Sequence, residues 1–155
     1  MKLRKYKDSD SGEVGKIFYE TVHTINAKDY TQKQLNIWAP QDTNYLEWGK
    51  SRLVQQDVIV AVDNKKIIGF GSINITSGYL DLLFVQKDNI GKGVGTAICD
   101  ELEKRCRVNG IITFASVTAR PFFEKRGYEV VEKNKVKRNR ARLCNYLMAK
   151  YIEGI

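Results

Sequence analysis

The sequence predicts one α+β domain over residues 1–155, built on a mostly antiparallel sheet. Three observations carry that expectation. Apolar residues recur at helical spacing through the first third of the chain. Two β-branched runs separated by a short polar turn occupy the middle. An apolar strand ending in Leu83-Phe84-Val85 then passes through a glycine-rich turn into an amphipathic helix. No repeat, linker or low-complexity segment interrupts this order.

Residues 2–7 alternate loosely and suit a short strand. Asp10, with Glu13 three residues later, has the spacing of a capping box. Val14, Ile17, Phe18, Thr21, Val22 and Ile25 follow at helical spacing, so a helix is expected over 10–26. Thr31 and Gln34 repeat the capping signal for a short helix that carries Leu35 and Trp38 and stops at Pro40. A third helical stretch, 43–54, carries Tyr45, Trp48 and Leu53.

The run Val58–Val62, the turn Asp63-Asn64-Lys65 and a second run, Lys66–Ile75, read as a hairpin. Thr76-Ser77-Gly78 leads into the strand before the glycines, and the helix after them is expected to reach about Val108. Its apolar stripe is Val94, Ile98, Leu102 and Cys106; Asp100/Lys104, Glu101/Arg105 and Glu103/Arg107 are acid-to-base pairs at i,i+4. A strand at Ile111–Ser116, a short helix at 119–126 ended by Gly127, and a hairpin of Tyr128–Lys137 with Arg140–Tyr151 complete the chain.

With 43% apolar and 28% charged residues the composition is that of an ordinary globule. No apolar run approaches the ~20 residues of a membrane span, and the segment Met1–Lys7 lacks the apolar middle of a signal peptide. Three widely separated cysteines argue against a disulfide framework, and Cys99 and Cys106 read as small core hydrophobes. A cytoplasmic, reduced protein without metal or membrane partner is expected. The net charge of +8 is concentrated in Lys133, Lys135, Lys137, Arg138, Arg140 and Arg142. Such a run favours an anionic partner (nucleic acid, an acidic protein or cofactor phosphates) or is a solvated hairpin tip. With no aromatic between Lys133 and Arg142 it lacks the stacking residues of a single-strand binder.

Chemistry concentrates at Ile90-Gly91-Lys92-Gly93-Val94-Gly95-Thr96. The amides of a first helical turn have no intrahelical acceptor and converge with the positive end of the helix dipole. Glycines let a bulky phosphate approach the backbone. The spacing is neither that of a dinucleotide fingerprint nor of a Walker loop, in which Lys directly precedes Ser or Thr. That departure, and the lack of an acidic metal cluster, count against a nucleotide-binding enzyme.

The whole order of elements, with this loop, resembles the GNAT acyltransferase fold, which adds a mixed sheet with helices on both faces. The family's acyl-CoA signature is Gln/Arg-x-x-Gly-x-Gly/Ala; here both glycines match and Ile90 stands at the first position. The block Ser116-Val117-Thr118-Ala119-Arg120-Pro121-Phe122-Phe123-Glu124-Lys125-Arg126-Gly127-Tyr128 is similar to the family's Asn-x-x-Ala-x-x-x-Tyr-Glu-Lys-x-Gly-Phe. Ala119, Glu124, Lys125 and Gly127 match, whereas Ser116 replaces Asn and Phe123 replaces Tyr. The resemblance extends to a bacterial subgroup of undefined substrate.

The resemblance implies transfer of an acetyl group from acetyl-CoA to a primary amine of a small molecule or peptide, by direct attack in a ternary complex. It assigns cosubstrate contacts to Leu83, Phe84, Val85, Ile90, Gly91, Lys92, Gly93, Val94, Gly95, Thr96, Ser116 and Phe123. Many enzymes of the family use as general acid the tyrosine that Phe123 replaces. Tyr146, on the last strand, is the leading replacement, and Ser116 is a second candidate that could instead bond the pantetheine. His23, the one histidine, is a candidate base or a hydrogen-bonded helix-end side chain. Asp81 is another, if burial raises its pKa, or else a partner for Lys or Arg; a water relay is a third route. Tyr30, Trp38, Tyr45 and Trp48 are expected near the acceptor site, as core or as pocket walls. Nucleic acid is not an expected partner, and a homodimer is left open. The alternative is a non-enzymatic module that docks nucleic acid or an acidic protein on hairpin 133–142.

Overall fold

Helical periodicity in the first third of the chain produces α1 (Ser11–Thr24), α2 (Gln32–Trp38) and α3 (Tyr45–Leu53). They belong to a computed structural model that describes residues 1–138 and 141–152. The capping box of α2 forms as expected: Gln34 N–H donates to Thr31 Oγ1 at 3.2 Å and Thr31 N–H to Gln34 Oε1 at 2.8 Å. That of α1 does not. The buried Asp10 carboxylate accepts from the Arg4 guanidinium at 2.8 and 2.9 Å and from Lys7 N–H at 2.9 Å. A bidentate ionic bond outcompetes a neutral amide cap, and Glu13 instead accepts from Ile67 N–H at 3.2 Å.

The strands are β1 (Lys2–Lys5), β2 (Asp57–Asp63), β3 (Lys66–Asn74), β4 (Tyr79–Val85), β5 (Gly110–Ser116), β6 (Glu129–Arg138) and β7 (Ala141–Tyr151). Arg140, expected to begin the last strand, lies outside the described residues. All the strands join one sheet in the order β1-β2-β3-β4-β5-β7-β6, in which only β4 and β5 are parallel. The parallel pair needs a crossover, which is α4 (Val94–Arg105), while α5 (Arg120–Lys125) follows β5. Helices therefore cover both faces. One core holds Ile98, Cys99, Leu102, Ile111, Phe123, Tyr128 and Met148 beneath α4 and α5. The other holds Val14, Phe18, Leu35, Val60 and Phe70 beneath α1–α3.

Two glycines of β3 set the seat of α4. A Cβ on Gly69 would lie 2.9 Å from Val94 Cγ1, and one on Gly71 2.8 Å from Ile98 Cγ2, so the helix rests on bare backbone. It ends at Arg105 rather than Val108, because Cys106 turns extended and Arg107 N–H bonds Ile75 O at 2.9 Å. Cys106 is nevertheless buried, as is Cys99, whose thiol burial pushes up to about 12.

Of the three expected i,i+4 pairs, only Glu101–Arg105 closes among the described residues, at 3.0 Å. Arg107 lies past the helix. Asp100 accepts from Arg126 at 2.8 Å, and Glu103 gathers Arg126 and Lys150 at 3.0 Å and Tyr128 Oη at 2.9 Å. Several donors in a half-buried site hold a carboxylate better than one exposed arginine. Among the described residues no helix is long and apolar enough to cross a membrane.

Candidate active site

The parallel junction of the sheet is short. β4 and β5 pair only at Tyr79 with Ile112 and Leu80 with Thr113, with Thr113 Oγ1 donating to Leu80 O at 2.9 Å. Beyond that point β4 runs on to Val85 and β5 to Ser116 without meeting. The cause lies at Asp81. Ser72 pairs with Leu82 but Ile73 with Leu80, so Asp81 is the extra residue of a β-bulge that bends the strand. The bulge also resets the faces: Leu80 packs beneath α4, Leu82 beneath α1, then Leu83 and Val85 turn to α4 and Phe84 to the α1 core. One backbone edge of residues 82–84 thus borders a wedge instead of a strand.

Side chains hold the wedge open. Tyr30 is nearly buried; its hydroxyl donates to Cys144 O at 2.6 Å and accepts from Val117 N–H at 2.9 Å, replacing a ladder pair where β5 leaves β7. Trp38 stands edge-on to Tyr30 with centroids 5.4 Å apart, and its ring is 6.5 Å from Phe84. Thr21 Oγ1 donates to Val85 O at 3.1 Å, tying α1 to the strand end. Trp48 and Tyr45 are packing aromatics instead: Trp48 stacks on Phe18 at 4.2 Å and Tyr45 Oη donates to Pro40 O at 2.6 Å.

At the same end of β4, the chain reaches α4 through Gly91 (φ 78°) and Gly93 (φ 81°), both in the left-handed region. A Cβ at either would meet nothing within 4 Å. The first helical bond runs from Ala97 N–H to Gly93 O at 3.0 Å, which leaves the amides of Val94, Gly95 and Thr96 without intrahelical acceptors. The first turn carries no acidic side chain, and Lys92 is exposed beside it. Open space, left-handed glycines and converging amides suit a diphosphate. Ile90 is 46% exposed and adds no polar contact.

On the α5 side, Phe122 lies 3.4 Å from the position of a Cβ on Gly95. Phe123, expected to contact cosubstrate, is a core residue, 3% exposed and edge-on to Phe122 and Tyr128. One residue along a helix turns the side chain by about 100°, so Phe122 faces α4 and Phe123 the sheet.

The acid–base candidates separate into two groups. Ser116 Oγ accepts from Ala119 N–H at 3.0 Å and Asn26 Nδ2 at 3.4 Å, so neither bond uses its own proton. Tyr146 pairs across β5 with Ala115, next to Ser116, and lies on the α4–α5 face with the Arg120 guanidinium 4.4 Å above its ring. His23 is tied to the end of α2: its Nε2 is 2.7 Å from Ala39 O, which can only accept, so Nε2 is the donor, and Nδ1 has no hydrogen-bond partner among the described residues.

Asp81 departs from the expectation of a raised pKa. Burial pushes its carboxyl up, but bonds from Arg52 at 2.8 and 2.9 Å and Gln56 at 2.9 Å outweigh that and hold it below the usual range. It anchors α3 to the bulge at the closed end of the wedge. Asn26, Thr21 and Arg120 were not legible as site residues, since their partners lie far along the chain or, for Arg120, across a helix–sheet contact.

The chain is similar in sequence and fold to known N-acetyltransferases. Residues 26–150 match the family model for an acetyltransferase (GNAT) domain. The chain is 30% identical over 148 residues to the uncharacterized N-acetyltransferase YafP of Escherichia coli, covering 96% of this chain and 94% of YafP. It superposes on a GCN5-related N-acetyltransferase from Rhodopseudomonas palustris with a TM-score of 0.90 at 30% identity, over 97% of this chain and 95% of that one. The protein yncA of Salmonella typhimurium, whose structure includes its cofactor acetyl-CoA, shares the fold at a TM-score of 0.73 and 16% identity, over 100% of this chain and 95% of that one.

Proposed function

The chain belongs to the GNAT acetyltransferase family, and on that premise we propose that it moves an acetyl group from acetyl-CoA to a primary amine of a small molecule or peptide by direct attack in a ternary complex. Residues 1–155 act as one catalytic domain. The observation that carries this reading is the meeting of two features at one end of β4: an unpaired strand edge and a glycine cradle of free amides. Acetyl-CoA supplies an activated thioester to the wedge.

The amides of residues 91–96, with Lys92 beside them, hold the diphosphate. The free edge at Leu83, Phe84 and Val85 gives hydrogen bonds to an extended amide-bearing arm, and Phe122 and Ser116 line its far side. Holding two reactants in register is worth ~7–11 kcal/mol of barrier, against the ~10²–10⁴-fold of a single acid or base. Positioning therefore dominates, and the phenylalanine at 123 is compatible with turnover. Tyr146 Oη is the leading group to return a proton to the leaving sulfur, with Ser116 Oγ as the second. His23 Nδ1 is free to take the proton of the amine, since Nε2 is spent on Ala39 O.

Isothermal titration calorimetry with acetyl-CoA, CoA and ATP tests the premise. Saturable binding of the first two and none of ATP is expected. An absence of acetyl-CoA binding overturns the assignment.

A further inference from the structure

We propose that the outer edge of β6 docks an extended acidic peptide, a binding role beyond the acyl-transfer step itself. β6 is the last strand of the sheet, and no strand pairs with its outer edge among the described residues. A bulge at Val131 interrupts the register between Val130 and Glu132, so the regular strip begins at Glu132. From there Lys133, Lys135 and Lys137 alternate along the strand and are exposed on one face. Their cross-strand partners are Tyr146, Cys144 and Arg142, which sets Lys137 directly opposite Arg142.

Arg120, 4.4 Å above the Tyr146 ring, extends the same positive surface onto α5, where Glu124 pairs with it at 3.1 Å. Among the described residues no carboxylate pairs with Lys133, Lys135, Lys137 or Arg142. Like charges opposite one another destabilise a strand pair, and a bound anion relieves that repulsion.

The spacing selects the kind of anion. Alternate residues of a strand recur every ~6.8 Å, which is also the repeat of alternate side chains in an extended peptide laid beside it. A carboxylate at every second position then meets successive lysines, while the peptide backbone completes the free hydrogen-bonding ladder. At the same stretch the other face of β6 carries Glu132 and Asn134, so the lysines act on one face of the partner. A nucleic acid could use the charges but not the ladder, and no aromatic lies between Lys133 and Arg142 for bases to stack on.

Fluorescence anisotropy with a tagged, N-acetylated peptide of alternating Glu and Thr, about eight residues long, tests this on the intact protein. The blocked N-terminus keeps acetyl transfer out of the readout, so failure here and failure of the acetyltransferase reading remain distinct. Binding at low salt that weakens at about 0.2 M salt is expected. Combining Lys135→Gln, Lys137→Gln and Arg142→Gln should weaken it about tenfold. N-methylation of alternate peptide amides, tested on the wild-type protein, should weaken it as well without changing charge.

Three results overturn the proposal. Equal binding of the N-methylated peptide removes the ladder, tighter binding of oligo-dT makes the strip a nucleic-acid surface, and no peptide binding at low salt leaves the lysines as charges that keep an edge strand from self-association.

Discussion

Gly93→Ala separates the backbone cost of the α4 cradle from its ligand-binding role. Gly93 sits at φ 81° and ψ 8° as the N-cap of α4. A side chain there costs about 1–2 kcal/mol in the left-handed region, offset by about 0.4–1 kcal/mol of lost freedom in the unfolded chain. No steric penalty adds to this, because the new Cβ meets nothing within 4 Å. A net loss of roughly 1 kcal/mol lowers the melting temperature by about 2–4 °C in a chain of this length.

Affinity should respond far more strongly, since the methyl group takes up open space at the residue that leads into the free amides. Losing two hydrogen bonds to a charged diphosphate, at about 1.5–3 kcal/mol each, weakens acetyl-CoA binding by roughly 10²–10⁴-fold. Calorimetric titration beside a thermal melt reads both quantities. A melting temperature that falls as expected with an affinity loss below about fivefold would refute the reasoning, because strain alone would then account for the change.

Other consequences can be measured on the same footing. Tyr146→Phe should lower turnover with little change in acetyl-CoA affinity, and unaltered turnover moves the acid role to Ser116. Tyr30→Phe leaves Val117 N–H and Cys144 C=O unpaired near the wedge and should cost about 2–4 kcal/mol in a denaturant titration; a loss below about 0.5 kcal/mol would show that water replaces the hydroxyl. Glu103→Gln strips the charge that faces Arg126 and Lys150, both well covered (11% and 24% exposed), and should destabilise the fold by about 2 kcal/mol. Thermal melts against pH should decline in acid: Arg4 holds Asp10 below its ordinary range, and donors that outweigh burial do the same for Asp81 and Glu103. The unfolded chain then binds more protons, so stability is full above about pH 5 and is lost as the pH drops through the lower folded values. A melting temperature flat down to about pH 3 would contradict that sign.

Local features were legible in the residues. The glycine loop, the capping box of Thr31 and Gln34 and the β-branched runs of β2 and β3 around their polar turn depend on neighbours within a few positions, so local pattern reveals them. The wedge does not. It arises from one extra residue at Asp81 in register with β3 and from a tyrosine bonded to groups at 117 and 144, and no local pattern encodes either. The same limit explains the charges. Asp10, Asp81 and Glu103 each had an interpretation drawn from sequence neighbours or from burial alone, and each is governed by donors that tertiary packing supplies: Arg4, Arg52 and Arg126. Phe123 shows how fine the limit is, since a single helical step decides whether an aromatic faces the groove or the core.

The brief junction at Tyr79–Leu80 and Ile112–Thr113 bears on cooperativity. The sheet is two blocks, β1–β4 and β5-β7-β6, joined by few backbone bonds, with α4 and the Tyr30 bolt spanning the join. Sub-global opening should follow that seam, with the earliest amide exchange and proteolytic nicking on its flanks. A thioester arm lying in the wedge would tie the blocks together and, by mass action, slow both. The cellular lifetime of the protein would then follow the supply of its own acyl donor.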